Sequence, residues 1–135
     1  MKAVFLSLLL GLLALPALSQ SEASSGIEAT INRQIEAFQA DDFATAFTFA
    51  SPTIQGMFGT SDRFGAMVRQ GYPMVWRPSD VQYLDLENRS GLLFQKVLMR
   101  DAAGNLHLLE YQMIRVDGAW RINGVVLLRP PGVGA

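Results

Sequence analysis

The sequence predicts a single α+β domain, with helices first and a four-stranded antiparallel meander after them. The first observation is that apolar residues recur every three or four positions from Ile27 to Val68, which is the helical period. The second is that they alternate from Val81 to Leu128, which is the strand period. The third is the length of 135 residues, which suits one ordinary domain. Helices that precede a run of strands are typical of the α+β class.

The composition excludes several classes of function. The chain has no cysteine, so disulfides, thiolate metal sites and a cysteine nucleophile are ruled out. His107 is the single histidine, which excludes a metal site built on several histidines. Eleven basic and twelve acidic residues nearly cancel, and no nucleic-acid partner is expected. We therefore expect neither a metal nor a cofactor.

The N-terminus has the pattern of a cleaved secretory signal. Lys2 precedes an uncharged run, Ala3 to Leu15, and Ala17-Leu18-Ser19 is a small-x-small cleavage site. The run is shorter than the roughly 20 residues that a bilayer-spanning helix needs, so a stable membrane anchor is the less favoured alternative. Residues 1–19 are thus predicted to be a signal peptide, which places the mature protein in the periplasm. Residues 20–26 are predicted to be a disordered linker, 27–128 the domain and 129–135 a flexible tail.

Four helices are predicted from caps and apolar stripes. Ser25 and Glu28 form a capping box at the start of the first helix. Asp41 is the predicted cap of the second, Ser51 with Pro52 of the third, and Thr60 or Ser61 of the fourth. The predicted buried faces, in order, are Ile27, Ile31, Ile35 and Phe38; Phe43, Ala46, Phe47 and Ala50; Ile54, Met57 and Phe58; and Phe64, Met67 and Val68. Gly59 and Gly71 are the predicted stops of the last two helices.

Four strands follow, separated by turn residues. Their predicted ranges are Val81 to Glu87, Leu92 to Arg100, Leu106 to Val116 and Ala119 to Leu128. Asp117-Gly118 between the last two strands predicts a two-residue type I′ hairpin that pairs Val116 with Ala119. The register that follows pairs Arg115 with Trp120, Met113 with Ile122, Tyr111 with Gly124 and Leu109 with Val126 on an apolar face, and Ile114 with Arg121, Gln112 with Asn123 and Glu110 with Val125 on a mixed face.

Several phrases of the sequence are shared with a known family. They are Gln34-Ile35-Glu36-Ala37-Phe38, Asp41-Asp42, Ala50-Ser51-Pro52, Met57-Phe58-Gly59, Arg63-Phe64, Gly71-Tyr72-Pro73 and Trp76-Arg77-Pro78. With the final hairpin they resemble a family of exported bacterial proteins, the domain of unknown function 4864. Helices followed by a meander that ends in Asp117-Gly118-Ala119-Trp120 also resemble the nuclear-transport-factor-2-like (cystatin-like) superfold. That resemblance implies a curved sheet with a concave side, and a fold that hosts enzymes, ligand binders and interaction modules alike.

The segment Tyr72 to Pro78 holds the main candidates for a binding site. Two aromatic residues, an arginine and two prolines lie where the helices give way to the sheet. They form either a rigid connector that closes the core or the rim of a ligand pocket, in which Arg77 would meet a carboxylate. The candidate ligand-binding residues are Tyr72, Trp76, Arg77 and, on the apolar sheet face, Tyr111.

Candidates for acid–base chemistry are few. In the predicted register His107 faces Leu128, and no carboxylate is placed beside it, which favours a structural role. Asp41 and Asp42 form the one adjacent carboxylate pair, and capping a helix is their expected role. Glu110 is a better-placed base in principle, but it falls on the mixed face.

No pattern in the chain defines a biochemical activity. We expect a non-enzymatic domain that binds a small ligand or a protein partner. One alternative is a small lyase or isomerase that uses the concave side of the sheet, and another is a module that forms a homodimer through the mixed sheet face. A cavity between helices and sheet, and the presence in it of a carboxylate or histidine beside a tyrosine, would discriminate between ligand binding and catalysis.

Overall fold

The computed structural model describes residues 20–128, and the predicted signal peptide and tail lie outside them. The class is α+β, as predicted, with N-terminal helices packed on one face of a four-stranded antiparallel sheet. The sheet order is β1-β2-β3-β4, a simple meander. The elements are α1 (Gln20–Gln39), α2 (Phe43–Thr48), α3 (Pro52–Phe58), α4 (Ser61–Gly71), α5 (Pro73–Trp76), β1 (Asp80–Arg89), β2 (Leu92–Arg100), β3 (Leu106–Val116) and β4 (Ala119–Leu128).

The first helix corrects the prediction of a linker. Residues 20–26 already belong to α1, so the box of Ser25 and Glu28 lies inside the helix. Ala23 is buried there, and Gln20 Nε2 donates a hydrogen bond of 2.8 Å to the carbonyl of Leu86 on β1. Contacts with the sheet therefore override the weak helical propensity of this Ser- and Gly-containing stretch.

The core lies between α1 and the covered face of the sheet. The predicted stripe of α1 is buried, and the inward residues of the sheet lie against it: Val97, Met99, Leu109, Tyr111, Met113 and Ile122. Phe64 and Val68 of α4 are buried as predicted, whereas Met57 of α3 is 70% exposed, which corrects its placement in the core.

The boundaries of the last three strands are as predicted, and β1 is longer than predicted. It reaches Arg89 because the β1–β2 loop has only two residues, Ser90 and Gly91, both with positive φ. Asn88 Oδ1 accepts the Gly91 N–H at 2.9 Å and stabilises this tight turn. Asp117 and Gly118 also have positive φ, of 50° and 80°, as the predicted type I′ hairpin requires.

The register of the last hairpin is right near the turn and wrong beyond it. Arg115 pairs with Trp120 and Met113 with Ile122, as predicted. An irregularity then shifts the pairing by one residue, so that Gln112 faces Gly124, Tyr111 faces Val125, Glu110 faces Val126 and Leu109 faces Leu127. The predicted pairs of Gln112 with Asn123, Tyr111 with Gly124, Glu110 with Val125 and Leu109 with Val126 are therefore wrong.

The cause of this bulge lies in another part of the chain. The segment before α3 forms a parallel bridge to β4, in which Ser51 N donates to the Ile122 carbonyl at 2.8 Å and Ile122 N donates to the Phe49 carbonyl at 2.9 Å. Ser51 Oγ also donates to Asn123 Oδ1 at 2.7 Å. These bonds hold Asn123 as the extra residue of the strand, which is the usual form of a β-bulge.

Candidate functional site

A pocket opens between the helices and strand β4. Its volume is about 220 Å³. The walls come from α1, α3, α4, the start of α5 and β4, and most are apolar: Phe38, Ala50, Ile54, Met57, Phe58, Phe64, Met67, Val68, Val75, Ile122, Gly124 and Val125. Gln34 and Tyr72 complete the lining. The exposed Met57 marks the side on which the pocket meets solvent.

The shape of the pocket follows from the short helix α3. Ser51 Oγ accepts the Ile54 N–H at 3.2 Å and fixes the first turn, as the predicted cap requires. Gly59, with a φ of 76°, ends the helix after Phe58. The two turns that remain place Ile54 and Phe58 on the pocket wall.

Contacts between phenylalanine rings make one wall of the pocket rigid. The Phe64 ring lies 5.8 Å from Phe38, 5.2 Å from Phe47 and 5.7 Å from Phe58, measured between centroids. These separations lie in the range that favours aromatic pairs. The wall is therefore built of rings that hold one another in place.

The part of the chain that the structure describes contributes two polar side chains to the pocket, and both are uncharged. Gln34 is only 3% exposed, and its Nε2 donates to the carbonyl of Ala46 at 3.2 Å. The Tyr72 hydroxyl donates to the carbonyl of Val125 at a long 3.4 Å. Among residues 20–128, no carboxylate, histidine, lysine or arginine belongs to this lining. The pocket is thus suited to holding an uncharged apolar group.

Of the predicted ligand-binding residues, Tyr72 lines the pocket, whereas Trp76 and Arg77 lie against the end of α1. Trp76 Nε1 and an Arg77 amino group each donate to Asp41 Oδ1 at 2.9 Å. The other amino group of Arg77 donates to the carbonyl of Phe38 at 2.7 Å, and the guanidinium stacks 4.2 Å from the Trp76 ring. The Phe38 carbonyl also accepts the Asp41 N–H at 3.0 Å, so Arg77 adds a second hydrogen bond to it and ties the connector to the C-terminus of α1.

Asp41 belongs to this cluster and is not the helix cap that the sequence predicts. It has a φ of 52°, and the hydrogen bond from Trp76, followed by the hydrogen bond and charge of Arg77, lowers the pKa of its carboxyl. The N-cap of α2 is Asp42, whose Oδ1 accepts the Thr45 N–H at 3.1 Å.

Tyr111 is in the core and does not line the pocket. It is fully buried opposite Gln95, and burial raises the pKa of its phenol. Its hydroxyl and Gln95 Oε1 are sealed from solvent and have no hydrogen-bond partner within the described residues. The structure therefore gives Tyr111 a packing position.

His107 has a carboxylate beside it, which corrects the prediction that none lies there. Its Nε2 is 2.8 Å from Asp101 Oδ2, and it pairs with Met99 of β2, while Leu108 takes the predicted position opposite Leu128. The hydrogen bond from His107, with those from backbone N–H groups of the β2–β3 turn, lowers the pKa of Asp101. Neither residue lines the pocket, and a non-catalytic His107 stays a prediction.

Gln34 is the residue of this site that sequence reasoning missed. It lies seven residues after Ile27 and three after Ile31, and so falls on the apolar stripe of α1. A glutamine on such a stripe is the signal that could have identified it, because a buried amide needs partners.

Comparison with protein families shows to which family the chain belongs. Residues 20–135 match the model of a domain of unknown function, DUF4864. The match spans the whole α+β domain, and the protein belongs to this family. No curated protein is similar enough to the chain to count as a match.

Proposed function

We propose that the protein is a non-enzymatic, exported binding domain whose pocket takes an uncharged hydrophobic group of a small ligand. The observation that carries the proposal is the pocket of about 220 Å³ with apolar walls and two neutral polar side chains. The proposal includes export to the periplasm, for which the pattern of residues 1–19 is the support, and membership of the nuclear-transport-factor-2-like superfold. Within residues 20–128, no helix is long and apolar enough to cross a bilayer.

The volume of the pocket limits what it can hold. An apolar cavity of about 150 Å³ accepts benzene, whereas sites for drug-sized ligands occupy about 300–1,000 Å³. A pocket of about 220 Å³ therefore suits a one-ring aromatic or a short branched alkyl group. A charged group would lose its hydration without a counter-charge in the lining, which is strongly unfavourable.

The lining favours binding over catalysis. A lyase or isomerase would need a general acid or base within hydrogen-bond reach of the substrate. Of the described residues in the lining, Tyr72 alone has an ionisable side chain, and its hydroxyl contacts a backbone carbonyl. The His107–Asp101 pair does not contribute to the lining.

Binding can be tested by thermal unfolding in the presence of ethylbenzene. At ten times its Kd, such a ligand adds about 1.4 kcal/mol, which raises the Tm by roughly 6 °C for a domain of this size. Ile54→Trp should fill the pocket and abolish the shift. Thr53→Trp is the matched control, because Thr53 is exposed on the same helix and outside the lining. An equal shift in the two variants, or none in the wild type, would contradict the proposal.

Export can be tested separately. N-terminal sequencing of protein from the periplasmic fraction should begin near Gln20. Recovery of the intact chain in the membrane fraction would refute this part of the proposal.

Self-association is a second candidate function, favoured by the sheet face that carries Glu110. Apolar side chains on this face remain partly or largely exposed: Leu92, Phe94, Leu98, Leu108 and Val126. Glu110 is buried among them and forms an ion pair with Arg89, which also stacks 4.0 Å from the Phe94 ring. Neutralised charge amid exposed apolar surface is typical of an interface between proteins. Sedimentation should show a dimer that Leu98→Glu dissociates, and a wild type that is monomeric at every concentration would contradict it.

A further inference from the structure

We infer that Gln34 makes the pocket selective for hydrophobic ligands that carry a hydroxyl group, such as alkylphenols, over hydrocarbons of the same shape. The inference rests on the proposed function, since it names the class of ligand that the same pocket takes. The Gln34 amide is buried in the wall of an apolar pocket, which is an unusual place for a polar side chain.

The orientation of this amide is determined by Ala46. Its carbonyl can only accept a hydrogen bond, so the atom of Gln34 that contacts it at 3.2 Å is Nε2, the donor. The other atom, Oε1, is then an acceptor. Across residues 20–128, no donor forms a hydrogen bond with it.

The acceptor is also reachable from the pocket. Two side-chain atoms of the described residues have no hydrogen-bond partner and no contact with solvent, and they belong to Gln95 and Tyr111. Gln34 Oε1 also has no partner but is not among them, so part of its surface is accessible. Since Gln34 as a whole is 3% exposed and lines the pocket, the accessible surface of Oε1 belongs to the pocket.

A ligand hydroxyl satisfies this acceptor, and a methyl group does not. A hydrocarbon that fills the pocket takes water away from Oε1 and leaves it without a partner, which costs the desolvation of a polar group. A hydroxyl donates to Oε1 and restores the hydrogen bond. Sites built to bind a hydroxyl reject the analogue that lacks it for this reason.

Tyr72 provides the internal comparison. Its hydroxyl is the other polar group of the lining and already donates to Val125. If Gln34 is the group that recognises the ligand, then Tyr72→Phe should preserve the preference, whereas Gln34→Leu should remove it. Both changes keep the size of the side chain nearly constant.

The test uses two ligands of matched shape, 4-ethylphenol and 4-ethyltoluene, and measures their Kd values by titration calorimetry. The wild type should bind the phenol about tenfold more tightly, the size of effect expected for one neutral hydrogen bond. Gln34→Leu should bind the two compounds about equally or prefer the toluene. Tyr72→Phe alters the lining and so changes the affinity for both compounds, but it should keep the preference for the phenol.

The outcomes separate this inference from the proposed function. If neither compound binds the wild type, the proposed function fails, and the inference fails with it. If both bind equally well, or if Gln34→Leu keeps the preference, the inference alone is overturned. Should Gln34→Leu not fold, the side-chain amide resonances of Gln34 in the wild type decide. They should shift with 4-ethylphenol beyond any shift with 4-ethyltoluene, and equal shifts overturn the inference.

Discussion

Replacing Gly26 with alanine should destabilise the protein, although the residue lies inside a helix. A Cβ added at Gly26 would lie 2.7 Å from both Cδ1 and Nε1 of Trp120, closer than carbon atoms can approach. The Trp120 indole is a rigid ring stacked 4.6 Å from Arg115, so relief requires either the whole ring to turn away from this guanidinium or α1 to move outward. Overpacking of this kind costs about 1–3 kcal/mol. In a helix, alanine is more stable than glycine by about 1 kcal/mol, which offsets part of this cost. The free energy of unfolding should therefore fall by about 0–2 kcal/mol.

Gly56 supplies the matched control. It also lies inside a helix, α3, and a Cβ there would have no neighbour within 4 Å. Gly56→Ala should therefore show the gain in propensity alone, a stabilisation of up to about 1 kcal/mol. The two variants make the same chemical change and differ in the contact that it meets.

Urea unfolding of both variants, followed by circular dichroism and tryptophan fluorescence, measures the difference. The free energy of unfolding should fall for Gly26→Ala and rise for Gly56→Ala, with similar m values. If Gly26→Ala were as stabilising as Gly56→Ala, the close packing of α1 on Trp120 would be refuted.

Three further predictions follow from other contacts. Ser51→Ala should cost more than the roughly 1 kcal/mol of a lost N-cap, because it also removes the hydrogen bond to Asn123, whereas Thr60→Ala should cost the cap alone; urea unfolding compares them. The pKa of Asp101 is lowered in the fold, so its contribution to stability is present above its ordinary value of 3.8 and is lost as the pH falls below it. Acid unfolding should therefore be less steep in Asp101→Asn, and an unchanged profile would contradict this. Trp120→Ala should cost less than the roughly 3–5 kcal/mol of a fully buried tryptophan, because the ring is only half-buried, and thermal unfolding measures the loss.

Part of the candidate site was predictable from local pattern. The spacing of Ile54 and Phe58 and the cap at Ser51 correctly indicate helix α3, and the position of Tyr72 between helices and sheet indicates a place at the pocket. Local pattern does not show whether Arg77 contacts a ligand or the protein itself, because its partners Asp41 and Phe38 lie 36 and 39 residues earlier in the chain. A sequence shows that an arginine is available, and only the folded chain shows what it binds.

Local sequence pattern is sufficient to predict the α+β class, the boundaries of the last three strands and the turn at Asp117-Gly118. These features depend on interactions between residues a few positions apart, so the order of residue types along the chain is enough to predict them. Family membership also follows from sequence alone.

Other features depend on contacts between residues far apart in the sequence, and these are visible only in the folded chain. The bulge at Asn123 depends on Ser51, which is 72 residues away, and it shifts every pair from Gln112 to Leu108. The helical conformation of residues 20–26 depends on contacts with the sheet. The pocket is formed where α1, α3, α4, α5 and β4 meet, and only there does Gln34 become a polar group in an apolar wall. Local propensities are worth a few tenths of a kcal/mol per residue, so contacts of this kind override them wherever the two disagree.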